Sequence, residues 1–478
     1  MFSLNMLFNR KSELKLKDAI AELLKVQPER LDSFEEAYRN AALSDDTVSD
    51  NFFEVNSRQA SANLHNKPID ETFDESTLKT IVDRAVAELT AETPIIAISD
   101  GKITETSLPR LPAGTTELTN DDLKTIPASV RPQVTGHLMK VDITGPSYPH
   151  VLEYYINARD ARDEKLRRNM YGSFRQGLDI LDLDPVLYAM LGQNPNAMSH
   201  WLPQITSAVT KHGFFKIPET RIAKVPMPIL QLSRIEYNEL TPATLKIVDD
   251  WAMKAFDLDV TKTYFIKTGT YSSKFDFRNA KVTGEKEVRE LGEYLLFIQH
   301  QASSMAGPLS HPCIYGVSTT NEWVVREYIE DKENNPCIYK GMPLHTEYRV
   351  FVDFDTNEVL GISPYWEPGT MKKRFSQGND ADSPHQRHDY IIYKMHEETL
   401  MNRYNEHKDE IINHIKELLP DVELTGQWSI DIMQNSDDFW LIDMATADTS
   451  ALRECVPSNL LRPTPENWIP VGLLPFND

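Results

Sequence analysis

The chain has 478 residues, of which 40% are hydrophobic and 26% charged. At roughly 100–200 residues per domain, that is an ordinary globular composition spread over two or three domains. Lys and Arg number 50 against 72 Asp and Glu, a formal charge of −22. This excludes a general binder of nucleic acid or anionic membrane, whose affinity rests on neutralising phosphates with cations.

Cys313, Cys337 and Cys455 are far apart, and no Cys/His cluster has metal-ligand spacing. Neither a disulfide framework nor a structural zinc is expected. No apolar run approaches the about 18 residues of a membrane span. The first 11 residues are too short and interrupted for a secretory signal. A reducing compartment, the cytoplasm, is the expected location.

In chain order, Leu14, Leu16, Ile20, Leu23 and Leu24 recur at helical spacing before Pro28, so residues 12–43 read as two helices. Residues 44–75 are polar and read as a long loop. Leu78, Ile81, Val82, Val86 and Leu89 place one amphipathic helix over 76–92. Residues 93–148 mix short apolar runs with Pro and Gly and give no assignment. Helices are expected over 149–180, near 184–192 and over 197–211. After Gly213 the pattern changes to short β-type runs at 214–217, 221–225 and 229–232. Thr241-Pro242 then opens a helix, with Thr as N-cap and Pro in the first turn. Strand-like runs follow at 264–267, 323–329, 347–354, 359–363, 428–433 and 439–444, separated by helical segments at 285–302 and 391–418. The fold class is therefore α+β, mainly helical at first and mixed later, with a boundary near 205–215.

Four constellations carry chemistry. Lys267 ends an apolar strand and is followed by Gly269, Ser272, Ser273, Lys274 and Arg278. A lysine held by a strand, with backbone N–H groups, hydroxyls and cations in the next loop, suits a polyphosphate. Neither GxxxxGK[ST] nor Lys-x-Asp-Gly occurs here. The apolar run 323–329 ends in acidic and aromatic residues through Glu327, Tyr328, Glu330 and Asp331, which suits pairing with an adenine edge and ribose hydroxyls. Glu347, Arg349 and Asp353 share one face of the next strand at period two, where Arg349 is suited to a bidentate phosphate contact. Asp431 and Asp443 lie in two successive apolar strands. Buried acids on neighbouring strands repel unless a cation lies between them, and magnesium takes such a pair. The competing explanation is two carboxylates satisfied by Arg or Lys.

In this order, with the phrases around Lys267, Ser272-Ser273-Lys274, Glu347-Tyr-Arg349, 359–363 and Leu441-Ile-Asp443, the sequence resembles the ATP-grasp superfamily over about 214–455. Within it, the chain looks most like the branch containing the cell division cycle protein 123 family. The resemblance implies a C-terminal two-lobed domain: an N-lobe over 206–330 with the phosphate loop and adenine strand, and a C-lobe over 331–478 with the Arg strand and metal-binding acids. A mainly helical region over 1–205, of one or two subdomains, precedes it.

The resemblance further implies that Lys267 contacts the α-phosphate and adenine, and that Ser272, Ser273 and Lys274 sit on a mobile loop above the phosphates. Glu327, Tyr328 and Ile329 become the adenine hinge, Glu330 or Asp331 meets the ribose, and Arg349 meets the γ-phosphate. Asp431 and Asp443 hold Mg2+. One departure is plain: the usual acid-x-Asn reads Asp443-x-Ala445, so Thr446 or Asp448 is left to replace the ligand. The polar stretch 364–390, with Lys372, Lys373, Arg374, His385 and His388, reads as a lid on the acceptor side.

Three functions remain open. The first is an ATP-dependent ligase that forms an acyl phosphate on a carboxylate acceptor with release of ADP, catalysis resting on positioning and charge neutralisation. The second is a non-enzymatic ATP-binding assembly factor, whose acidic surface suits a basic protein partner. The third, adenylation of Lys267, is disfavoured because no Asp follows at the required spacing. The acceptor is open between a small molecule and a protein.

Overall fold

The computed structural model describes residues 93–108, 157–158, 161–167, 169–170, 191–192, 194–233, 240, 242–306, 318–376 and 384–462. The helices expected over 12–43 and 76–92, the polar loop 44–75 and most of the helical expectation over 149–192 lie outside these residues. So does Thr241, the expected N-cap. Among the described residues, no helix is long and apolar enough to cross a membrane.

Two sheets organise the molecule. The first is built from β1 (Thr93–Ser99), β2 (Lys102–Leu108), β4 (Thr220–Lys224), β5 (Tyr264–Thr268), β6 (Lys281–Val282) and β7 (Glu322–Glu327), in the order β2-β1-β4-β7-β5-β6, every pairing antiparallel. The second runs β11-β10-β12-β13-β3: β11 (Glu358–Pro364), β10 (Glu347–Asp353), β12 (Gln427–Asn435), β13 (Asp438–Thr446) and β3 (Phe215–Lys216). Its pairings are antiparallel except β13 with β3. A two-strand ribbon of β8 (Cys337–Ile338) and β9 (Met342–Pro343) lies between β7 and β10 in sequence.

Strand alternation assigns the faces. On β7, Trp323 and Val325 enter one core with Ile266 of β5 and with α3 (Pro242–Ala255) and α5 (Leu291–Ala306), where Trp251 meets Trp323 edge-on at 5.5 Å. Val324, between them, enters a second core with Ile222 of β4. That core also holds α1 (Met198–His212), through Trp201, Leu202 and Ile205, and the inward residues Tyr348, Val350, Ile430 and Ile432 of the second sheet. The odd-numbered neighbours Glu347, Arg349 and Asp431 are left for the opposite face, which is what makes them available to a cleft.

Three elements correct the sequence expectation, and a fourth, the helical segment 285–302, is helical as expected but divided in two. Residues 93–108, within the region expected to be mainly helical, form a hairpin. Asp100 and Gly101 turn it with φ of 49° and 71°, the left-handed pair of a tight hairpin turn. A Cβ on Gly101 would stand 2.3 Å from Thr210 Oγ1 of α1, so the turn docks where only glycine fits. Residues 229–232 are not a strand but part of α2 (Met227–Leu232), which Pro226 and Pro228 initiate in the first turn, where missing N–H groups cost nothing. The segment 285–302 holds two helices, α4 (Gly284–Arg289) and α5.

The polar stretch 364–390 is not a long lid loop. It contains α6 (Pro368–Ser376), and α7 (Pro384–Leu418) begins within it. The Glu367 carboxylate accepts the Gly369 and Thr370 N–H groups at 2.8 and 2.5 Å, capping α6. Met371 and Phe375, four residues apart, bury its inner face beside Trp366. Tyr393 and Leu400 of α7 enter the same cluster, while Tyr404, Ile411 and Ile415 reach the second core.

Candidate functional site

The two sheets meet at a cleft of about 940 Å³, its solvent-filled mouth included. The first sheet supplies Lys267 from β5 and Arg326 from β7. The second supplies Asp431 from β12, Asp443 from β13 and Glu347 from β10. Phe265, Phe277, Tyr328 and Met342, members of one hydrophobic cluster, give the cleft an apolar wall beside these charged groups, with Ile329 also in the lining. An apolar chamber continuous with a few convergent charges is the usual anatomy of a small-molecule site.

The charges are paired across the gap. Lys267 Nζ lies 3.0 and 3.1 Å from the two oxygens of Asp443. The Lys267 side chain is 3% exposed and that of Asp443 42%. Arg349 makes a bidentate pair with Asp431, at 2.8 Å through Nε and 2.7 Å through Nη2. Strand register sets the second pair and places the two acids together: Arg349 sits directly opposite Asp431, and Asp431 opposite Asp443. The two acids expected to hold a cation are thus satisfied by the Lys and Arg expected to hold phosphates. Tyr365, just beyond β11, organises the same end. Its hydroxyl accepts the Lys274 ammonium, and its ring lies 4.8 Å from both Lys274 Nζ and Arg349 Cζ. Arg326 donates from Nε to Thr220 Oγ1 at 3.1 Å and from Nη1 to the Ile442 carbonyl.

Of the residues expected in a nucleotide site, Lys267, Ser272, Lys274, Glu327, Tyr328, Ile329, Asp431 and Asp443 line this cleft. Arg349 reaches it through Asp431. Ser273, Glu330 and Asp331 are not brought to it. Ser273 is 2% exposed and is not among the residues lining the cleft. Glu330 stands in solvent, 71% exposed, with Lys281 at 3.9 Å. The Asp331 carboxylate accepts the Glu333 and Asn335 N–H groups at 3.1 and 2.6 Å, holding its own loop rather than a ribose. The loop after Lys267 is tied down at its start: the Thr268 and Tyr271 backbones bond at 2.8 Å, and Thr270 Oγ1 donates to the Ser318 carbonyl at 2.8 Å. Asp353 shares the face of Arg349 but pairs with Arg462 at 2.6 and 2.7 Å, outside the cleft. Neither Thr446 nor Asp448 lines the cleft. The Thr446 hydroxyl meets Thr449 at 3.1 Å, and its N–H is taken by Asn196.

Two solved structures are similar to about half of this chain. Cdc123 from Schizosaccharomyces pombe is 15% identical, covering 56% of this chain and 93% of that one, with a TM-score of 0.32. Its C-terminally truncated form is also 15% identical, covering 54% and 92%, with a TM-score of 0.30. No family model and no curated protein matches the chain.

Sequence reasoning passed over Arg326, Tyr365 and His345 as site residues, and placed Trp366 only in the polar stretch 364–390. Trp366 Nε1 donates to the His345 backbone carbonyl at 3.0 Å, fixing the indole against the segment before β10. Glu347 was noticed only as a neighbour of Arg349, yet it lines the cleft. Burial, reinforced by Asp431, pushes its carboxyl up to about 8 against the favourable fields of Lys274 and Arg349.

This shift gives a pH prediction. Glu347 keeps its proton in the folded chain over a range where the unfolded chain, near its ordinary value of about 4.3, has lost it. Its contribution is complete below the unfolded pKa and is lost as pH rises through about 8. Asp249, buried between α3 and α5 and also raised to about 8 by burial, acts in the same direction. The melting midpoint should therefore fall between roughly pH 5 and 9, and Glu347→Gln should flatten that fall. A profile for Glu347→Gln as steep as that of the parent would show that Glu347 titrates normally.

Proposed function

We propose that the cleft binds a magnesium–nucleoside triphosphate, ATP above all, and that the chain is an ATP-dependent ligase of ATP-grasp type acting on a carboxylate acceptor. One observation carries this: two cation–carboxylate pairs, Lys267 with Asp443 and Arg349 with Asp431, stand side by side at the end of an apolar chamber. The donor set fits the ligand. Asp431 and Asp443 are register partners, and carboxylates on adjacent strands are the hard oxygen ligands magnesium accepts. Arg326 keeps a buried nitrogen without a partner at the same place.

ATP would supply the transferable phosphoryl group, and the protein would supply orientation and charge. Asp431 and Asp443 would turn to the metal. Lys267 and Arg349, released from them, would turn to the phosphates. Tyr365 would hold Lys274 and Arg349 in place. The apolar wall would take the base, with Ile329 at its end. The N–H groups of Glu327 and Tyr328 are already used by the Glu219 and Thr263 carbonyls, so they are not the ones that read it.

This arrangement predicts mutual dependence. A phosphate that reaches Lys267 must strip it from Asp443, and metal alone must strip both acids from their cations. Supplied together, each ligand releases the other's partner.

Ala445, standing where the resemblance has an Asn ligand, favours a second reading, an ATP-binding assembly factor that does not turn ATP over. ATP titration with and without magnesium, with ADP, AMP and phosphate assayed in the same samples, separates the readings. ADP indicates a ligase, AMP nucleotidyl transfer, and binding without product an assembly factor. Asp443→Asn is expected to abolish the magnesium dependence in a folded chain. Unchanged affinity there would defeat the metal assignment, and absence of nucleotide binding by the parent chain would defeat the whole reading.

A further inference from the structure

β7 carries one charge within its apolar run: Arg326 follows Trp323, Val324 and Val325. Its register partners are Thr220 on β4 and Phe265 on β5. Phe265 and Lys267 share a strand face at period two, so Arg326 leaves the first sheet on the side of Lys267. The residue is 4% exposed and lines the cleft. Nε and Nη1 are satisfied by Thr220 and by the Ile442 carbonyl of the second sheet, while the buried Nη2 has no partner. Among the described residues no carboxylate lies within ion-pair distance of this guanidinium. Asp443 is felt only through space, and burial lowers the pKa to about 10, still charged at neutral pH.

A structural strut explains two of these nitrogens but not the third. Leaving a charged donor buried without an acceptor is costly, and a guanidinium is the group best suited to a desolvated oxyanion. Lys267 and Arg349 must each release a carboxylate before they can bind an anion. Arg326 need not.

We propose that Arg326 is the anion anchor of the cleft, its free Nη2 receiving a phosphate-type oxygen of the ligand before any carboxylate is displaced. This deepens the nucleotide reading and rests on it only for the ligand's identity. It follows that a metal-free polyphosphate is captured first at Arg326 and that metal then opens the two ion pairs.

The test titrates the full chain, Arg326→Met and Arg326→Lys with inorganic pyrophosphate in the absence of divalent metal, and separately with magnesium–ATP. The parent chain should bind pyrophosphate. Arg326→Met should bind it about 10–100-fold more weakly, the range of one charge-assisted contact. Arg326→Lys, a point charge without the fork, should fall between them and decides the matter if the Met variant does not fold. Pyrophosphate binding that is absent from the parent chain, or equal in the folded variants, overturns the anchor. If magnesium–ATP binds the parent and folded Arg326→Met equally, the anchor falls and the nucleotide reading stands. If pyrophosphate binds through Arg326 and magnesium–ATP binds nothing, the anchor stands and the nucleotide reading falls.

Discussion

Lys267→Met is expected to weaken magnesium–ATP binding by about two orders of magnitude while leaving the melting midpoint of the ligand-free chain unchanged or raised. Lys267 is 2% exposed at the end of a strand whose alternate residues are core. Its one carboxylate partner is on the solvent side, with Asp443 42% exposed. Methionine fills most of the lysine's volume, and Asp443 can fall back on water. Replacing a buried charge by an apolar group of similar size is often neutral or stabilising. The binding loss is of a different kind, because a charge-assisted contact of about 1.5–3 kcal/mol corresponds to roughly 10–150-fold in affinity. Asp443→Ala should invert the stability half of this pattern, since it strands the buried ammonium without a partner. Calorimetric titration and thermal melting of the two variants side by side provide the check. A folded Lys267→Met chain with parental affinity would place the phosphates elsewhere.

That pattern also marks what the sequence could convey. A charge inside an apolar strand is legible without a structure, because burying it demands a partner. This signal pointed to Lys267, Asp431 and Asp443, and all three line one cleft. Arg326 sends the same signal, but it lies directly before the residues assigned to the adenine hinge, and the hinge reading absorbed it. Partner identity was not legible. Arg349 was expected to face a phosphate, yet it meets Asp431 because β10 lies beside β12, and that adjacency skips β11 and two helices in the chain. Tyr365, Trp366 and His345 were out of reach for the same reason: their role comes from where a second sheet and two later helices place them.

Local structure divides along similar lines. The longer strands were readable at 347–354, 428–433 and 439–444, since each has enough residues to show a period of two. A four-residue run such as 229–232, Ile-Leu-Gln-Leu, is too short to show a period, and the prolines that start its helix read equally well as strand breakers. The two-residue strands β3, β6, β8 and β9 hold only through their partners. The Asp100-Gly101 turn was a legible hairpin signal left unused.

Gly292→Ala separates local propensity from packing by the sign of its effect. In an isolated helix the change should stabilise by about 1 kcal/mol, because glycine is the poorer helix former. In α5 the result is expected to be the opposite. A Cβ on Gly292 would lie 2.6 Å from the Val248 carbonyl oxygen, 2.7 Å from its carbon and 2.8 Å from the Asp249 nitrogen. All three are backbone atoms of α3 and cannot rotate away. The contact is fixed further by Asp249, whose carboxylate accepts the Glu293 N–H at 3.0 Å. Relief requires α3 and α5 to part, and overpacking of this kind costs about 1–3 kcal/mol, occasionally more. Trp251 of α3 and Leu295 of α5 pack in one cluster with Ile266 and Trp323 of the first sheet. Lys267 and Arg326 follow those same strands, so a shift between the helices is passed to the charged end of the cleft. Gly292→Ala should therefore lower the melting midpoint and weaken magnesium–ATP binding together. A variant that melts higher than the parent would mean that the two helices do not approach this closely.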